Sequence, residues 1–471
     1  MPTPAPSSPG YQQATLAAAR TNLAIRLGDS NNVYWSSSEL NTYIVEGLRL
    51  WQALTYWYRE TGLLNTSASE MGPYYDLSGS GVLTPGPYSL GSNLLQYNVT
   101  DQQLLTEMCL MLIETPMSGD TWEGTSQFNA TQVYSALQNR IWRFMGDTGV
   151  YLQYMNQSAG VGVPITNSRL YTYVTDVRRA NWIDYTGTRQ ILYREDSWTM
   201  RSFQRTAFQP SPYPSYYSFD PTLQPSITWY PPSQNVGSFE ILYVPQGPSI
   251  GGASPITLTG CPDDYCWAIK YGALAELLGQ DAEVRDPDRA AYCEQRYQMG
   301  VELAKLSIAV QGAYYQGSPL FLISTFEADH HLRGWVNQTP GAPNYGIVEG
   351  RCTIAFDTDV TPVSGITLDV VRNFPVPSTD GAYLQVPTDV LDAILDYAQH
   401  TASFKMGGYE FGATIRMYSN FVTKAGQYNE KIRQYSFYKD ALRQAGVTSL
   451  GEIPRLEIPE LSPASMAGMG Q

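Results

Sequence analysis

The sequence predicts an α+β fold in which helical hairpins from both ends of the chain build one core around a large β-rich insertion. Three observations predict it. Capped amphipathic segments gather towards both ends. Runs of β-branched and aromatic residues, separated by Pro and Gly turns, fill the stretches between them. The 471 residues are enough for two or three cores of ordinary domain size.

Four helical blocks justify the first observation. In the first, about 13–60, Ser36 and Glu39 form a capping-box pair ahead of Leu40, Tyr43, Ile44, Leu48 and Trp51 at helical spacing. The second, about 100–146, has two such starts, Thr100 with Gln103 and Asn129 with Gln132. The third covers about 263–308. Ala268, Tyr271, Ala275 and Leu278 line one helix, and Pro287 opens the next, faced by Ala290, Cys293, Tyr297, Val301 and Ala304. The fourth covers about 388–445. Leu391, Ile394, Leu395 and Ala398 line its first helix and Phe411, Tyr418, Val422 and Ala425 its second, with the break at Gly407–Gly408.

Strands are expected at 170–174, 190–193, 227–230 and 239–244, and again at 320–324, 352–356 and 366–371. A faint repeat links the two sets. Phe239–Val244 resembles Ile366–Val371, and each is followed by a Pro-x-Asp helix start at Pro262 and Pro387. The expected organisation is a flexible N-terminal arm (1–12), a helical region (13–150), a β-rich region (151–260) and a helical hairpin (261–310). A second β-rich region (311–386), a C-terminal hairpin (387–446) and a terminal arm (447–471) complete it.

Composition narrows the function. A net charge of −14 and the lack of any basic run argue against a protein that grips nucleic acid, because such proteins displace counterions with clustered Lys and Arg. An acidic wall can still surround a duplex without adhering to it. Charged residues make up only 15% of the chain and Tyr supplies 35 residues, which suits broad contact surfaces as well as aromatic cores. The N-terminus lacks a signal peptide's basic and apolar parts, and no apolar run approaches the ~20 residues of a membrane span, so a soluble protein made in a cytoplasm is expected.

A search for chemistry finds no site. The three histidines are His330, His331 and His400. Adjacent histidines on a strand would point to opposite faces, which is poor geometry for one metal. No nucleophile elbow or phosphate loop is present. The five cysteines have no framework spacing, so reduced, buried thiols are expected, with a Cys261–Cys266 pair as the alternative. No catalytic residue, metal ligand or cofactor is assigned, and the expectation is a non-enzyme.

The turn–capping-box–helix start at Leu27–Leu40 resembles the N-terminal helical block of tailed-bacteriophage head-to-tail connector (adaptor) proteins. Pro387–Gly407 looks like the C-terminal helix those proteins place beside it, and Trp267–Tyr292 is similar to helices of phage virion structural proteins. The resemblance implies a connector core containing Trp35, Leu40, Ile44, Leu48, Trp51, Leu391, Ile394 and Ala398. It also implies a virion neck protein, assembled in the host cytoplasm, forming a self-associated ring of typically about twelve copies below the portal. Such a ring joins capsid to tail and gives double-stranded DNA a channel during ejection, without binding it specifically. A C-terminal arm with Leu450, Ile453, Leu456, Ile458 and Leu461 would dock on the portal protein, and the β-rich insertion would meet tail or nozzle proteins. No membrane partner is implied. The alternative is a tail or collar component, or a receptor- or glycan-binding β-rich protein.

Overall fold

Local capping chemistry sets where each helical block divides. The computed structural model describes residues 14–64, 69–71, 73–78, 83–85, 97–112, 128–159, 168–169, 173–203, 209–221, 225–251, 254–280, 286–332, 334–360 and 365–435. The N-terminal arm at 1–12, the expected strand start at 170–172 and the docking arm at 447–471 with Leu450, Ile453, Leu456, Ile458 and Leu461 lie outside the described residues.

Helices α1 (Leu16–Arg26) and α2 (Ser37–Thr55) lead into β1 (Arg59–Leu64), β2 (Ser69–Met71), β3 (Tyr74–Asp76) and β4 (Leu83–Pro85). Next come α3 (Asp101–Met111), α4 (Ala130–Thr148), β5 (Gln153–Ala159), β6 (Ser168–Arg169), β7 (Val174–Asp184) and β8 (Arg189–Arg194). They are followed by α5 (Ser197–Phe203), β9 (Tyr216–Asp220), β10 (Ser226–Tyr230) and β11 (Gly237–Pro245). A 3₁₀ turn at Asp263–Tyr265 opens α6 (Cys266–Gly279), and α7 (Pro287–Lys305) returns. Then come β12 (Val310–Tyr315), β13 (Ser318–Pro319), β14 (Phe321–Ser324), α8 (Thr325–His331), β15 (Tyr345–Glu349), β16 (Thr353–Phe356) and β17 (Ile366–Val371). The chain closes on α9 (Thr388–Ser403), α10 (Gly408–Ala413) and α11 (Ile415–Tyr435).

The fold is α+β. One helical core takes side chains from both ends of the chain, including Trp35, Leu40, Ile44, Leu48, Trp51, Ile394 and Ala398, all buried. Leu391 is only half-buried and packs against the edge of that core. Two 5-stranded sheets, ordered β13-β12-β17-β1-β4 and β14-β15-β16-β3-β2, share a core of Leu64, Tyr75, Ile354, Phe356, Ile366 and Leu368. A 7-stranded sheet, ordered β5-β11-β7-β8-β9-β10-β6, has its own aromatic core, in which Trp229 and Phe239 stack at 3.6 Å.

Four sequence readings need correction. The region 13–150 was expected to be helical, yet β1–β4 fall inside it and complete sheets whose other strands come from beyond residue 310. The helical block drawn to residue 60 ends at Thr55, where Tyr56 takes the left-handed conformation (φ 49°) and β1 begins soon after. His330 and His331 end helix α8 rather than lying on a strand, because Ser324 and Glu327 form a full capping box there. The Ser36 box is half-made: Ser36 Oγ accepts from the Glu39 N–H at 3.2 Å, but the Glu39 carboxylate accepts instead from the Tyr43 hydroxyl at 2.8 Å and from Lys405 at 3.3 Å. Asn129 and Gln132 form both bonds of their box.

The faint repeat extends much further in space than in sequence. Thr15 caps the 11-residue α1 and bridges Tyr383, while Thr100 caps the 11-residue α3 and bridges Thr257. Each bridged segment then runs into Pro387 or Pro262 and a helical hairpin. Helices α2 and α4 both have 19 residues, and each is followed by a left-handed cap residue, Tyr56 or Gly149, and then a strand. At one constant offset, buried Leu40, Ile44, Leu48 and Trp51 match Val133, Leu137, Ile141 and Phe144. Thr55 and Thr148 continue the match, each donating its hydroxyl to the carbonyl one turn back. The strands that follow pair alike, β1 with β17 and β5 with β11, both antiparallel. The outer unit is therefore α1-α2-β1 with β17-α9-α11, and the inner unit is α3-α4-β5 with β11-α6-α7. The inner unit is inserted into the outer one between β1 and β17.

Candidate assembly surfaces

The turn between α1 and α2 is organised by a single carboxylate. Asp29 accepts from the N–H groups of Val33 (2.8 Å), Tyr34 (2.8 Å) and Trp35 (2.9 Å), and these bonds, Trp35's foremost, hold its pKa below the ordinary carboxylate value. Trp35 is thereby pointed inward and donates its indole N–H to the Ala402 carbonyl at 3.2 Å. Val33 and Tyr34 are left outside. Lys405 donates to the Tyr34 carbonyl at 3.2 Å and lies over its ring at 4.8 Å, joining this turn to the one after α9. There the left-handed Gly407 and Gly408 (φ 67° and 52°) allow the sharp break, and Met406 and Tyr409 face outward. Val33, Tyr34, Met406 and Tyr409 thus make an exposed apolar end to the outer unit, with Tyr409 83% exposed. Surface of this kind is characteristic of contact sites.

Between the units lies a buried ionic seam. Lys270 on α6 bonds Glu46 on α2 and Glu107 on α3, the latter at 2.9 Å. Burial alone would raise the pKa of Glu46, but Lys270 and the Tyr397 hydroxyl, donating at 2.5 Å, bring it below the ordinary value. Arg296 on α7 donates to the hydroxyls of Tyr397 (2.5 Å) and Tyr418 (2.7 Å) and lies against Trp267 at 4.7 Å from the ring centre. Removing one partner from such a pair would leave an uncompensated buried charge, a cost of roughly 3–5 kcal/mol. The seam fixes how the units sit together rather than presenting a reactive group.

His400 belongs to the same seam. Thr414 gives its hydroxyl proton to the Phe411 carbonyl (2.8 Å), so its oxygen accepts from Nδ1–H of His400 at 2.9 Å. Nε2 is then the acceptor for the Tyr292 hydroxyl at 2.9 Å. Burial, reinforced by the nearby Arg296 charge, lowers the His400 pKa to about 3, so the ring is neutral.

Where the helical core meets the sheets, Asp264 is buried. Its Oδ1 accepts from the Phe374 N–H at 3.2 Å and its Oδ2 has no hydrogen-bond partner. Burial raises its pKa to about 7, against the opposing pull of Arg351 and Arg49. Cys261 and Cys266 lie close by as free thiols, their sulfurs 3.5 Å apart.

In the β-rich region, Tyr185 just after β7, Tyr193 on β8 and Trp198 on α5 are exposed aromatic side chains. Among the described residues, no group of three or more His, Cys, Asp or Glu is arranged to hold a metal ion. No helix among them is long and apolar enough to cross a membrane.

The structure brings together the core residues that the sequence singled out at both ends of the chain; the residues of the docking arm lie outside the described residues. Sequence reading missed Glu46, Glu107, Lys270 and Arg296. The local signal was a charged residue following an apolar run, Glu46 after Tyr43-Ile44-Val45 in α2 and Lys270 after Trp267-Ala268-Ile269 in α6. Compared with known proteins, the chain matches no protein-family model and no curated protein.

Proposed function

We propose that this chain is a virion structural protein, a head-to-tail adaptor that forms a ring below the portal of a tailed bacteriophage. The ring joins capsid to tail and leaves a channel for the genome. The observation that carries the reading is the packing of α2 against α9 and α11, which closes the two ends of the chain into one helical core and exports the β-rich stretches. The exposed apolar end at Val33, Tyr34, Met406 and Tyr409 supports it, as a surface for a neighbouring protein. The charge of −14 suits a wall past which DNA moves without sticking. A second reading, a tail or collar component or a receptor- or glycan-binding protein, draws on exposed Tyr185, Tyr193 and Trp198.

The test is made in a phage whose copy of the chain stops at Gly446. The truncated protein should fold, as judged by an unchanged thermal transition, while filled heads accumulate without tails. Tailed, infectious particles at normal yield would contradict the docking role of Val447–Gln471.

A further inference from the structure

The contact between the two units is head-to-tail. The outer unit offers α2, which touches α3, α7 and the turn at Asp263–Tyr265 and bonds Lys270 of α6, and the α9–α11 hairpin, whose His400, Tyr397 and Tyr418 bond Tyr292 and Arg296 of α7. If the contact were two-fold, α4 would cover α1 and α9 as α2 covers α3 and α6. Instead, the faces left over correspond to those already used. On α4, the exposed Ser135, Asn139 and Arg143 stand where Thr42, Glu46 and Leu50 stand on α2, and there Glu46 and Leu50 are buried, Glu46 against Lys270 of the inner unit. On α1, exposed Asn22 and Ile25 stand where α3 has the buried Glu107 and the half-buried Leu110, and Ile25 is 63% exposed. Each unit also ties its first helix to its third by an ion pair, at different positions along the helices: Arg26 on α1 with Asp396 on α9, and Glu107 on α3 with Lys270 on α6, both at 2.9 Å.

We infer that copies of this chain join by repeating the internal contact, the α4 face of one inner unit docking on the α1–α9 face of the next copy's outer unit. The occupant of both faces is a second copy. Ile25 supplies an apolar anchor. Arg143, paired within α4 to Asp147, would face α9, where the Asp392 side chain stays 67% exposed beside its bond to Arg26, so opposite charges meet across the contact. Like the internal contact, this one is heterologous and therefore propagates until rotation closes it. A ring built this way holds half as many chains as quasi-equivalent helical units. The inference rests on the ring reading above and adds the surfaces that make the ring.

Cysteine cross-linking tests it. Glu46 and Glu107 share Lys270 inside the chain, so their counterparts Asn139 and Asn22 should meet between chains. Two variants, Asn22→Cys and Asn139→Cys, are co-expressed and oxidised. The native thiols at positions 109, 261, 266, 293 and 352 are buried. The expected result is a reducible product at twice the 52.4 kDa chain mass in the co-expressed sample and in neither variant alone. Ring-sized protein that yields no such product would overturn the contact and leave the ring reading standing. Protein that stays monomeric at virion-like concentration would overturn both.

Discussion

Asp264 is the residue whose titration most directly reports the junction between helices and sheets. Its folded pKa of about 7 lies above the ordinary 3.8, so the stability it contributes is whole below about pH 4 and is lost as pH rises through about 7. The span corresponds to at most ~4 kcal/mol. His400 works in the opposite sense. Its folded pKa of about 3 lies below the ordinary 6.5, so stability is present above that value and lost as pH falls. A wild-type profile mixes the two, and the informative quantity is the difference from Asp264→Asn. The variant should gain on the wild type steadily from pH 4 to 7 in thermal midpoint. A difference that stays constant over that range would show that Asp264 ionises normally when folded.

At the scale of elements, close helix contacts depend on positions where a side chain has no room. A Cβ at Gly300 on α7 would lie 2.2 Å from the Ala268 Cβ and 3.2 Å from the Trp267 ring on α6. Neither neighbour is the loose end of a flexible side chain, so the helices must move apart. Gly300→Val should cost roughly 1–3 kcal/mol or more, read as a lower thermal midpoint at constant pH. An unchanged midpoint would mean that the α6–α7 packing is looser than described. Helix starts were legible in the sequence because capping is local: Thr100, Asn129 and Asp286 each cap within three residues. Strand β1 was not legible, since Arg59-Glu60-Thr61-Gly62 reads as polar and its partner β17 lies some 300 residues away. The histidines at the end of α8 were misread for want of recognising the Ser324–Glu327 box just before them.

At the scale of the whole molecule, the chain is one helical unit carried inside another. Only the C-terminal part of that repeat could be read in advance. There Phe239–Val244 and Ile366–Val371 share an apolar, β-branched character, and two prolines mark the helix starts. The N-terminal part repeats burial and hydrogen bonding rather than residue type, as Trp51 against Phe144 and Leu40 against Val133 illustrate. The ionic seam was equally hidden, because Glu46, Lys270 and Arg296 find their partners only after the units dock. The exposed faces of α1 and α4, the apolar end at Tyr34 and Tyr409, and the net charge of −14 support the proposal of a subunit that works in an assembly. Rotational class averages of the purified protein at virion-like concentration test that claim most directly. The account predicts closed rings around a central hole; monomers, or elongated trimers, would contradict it.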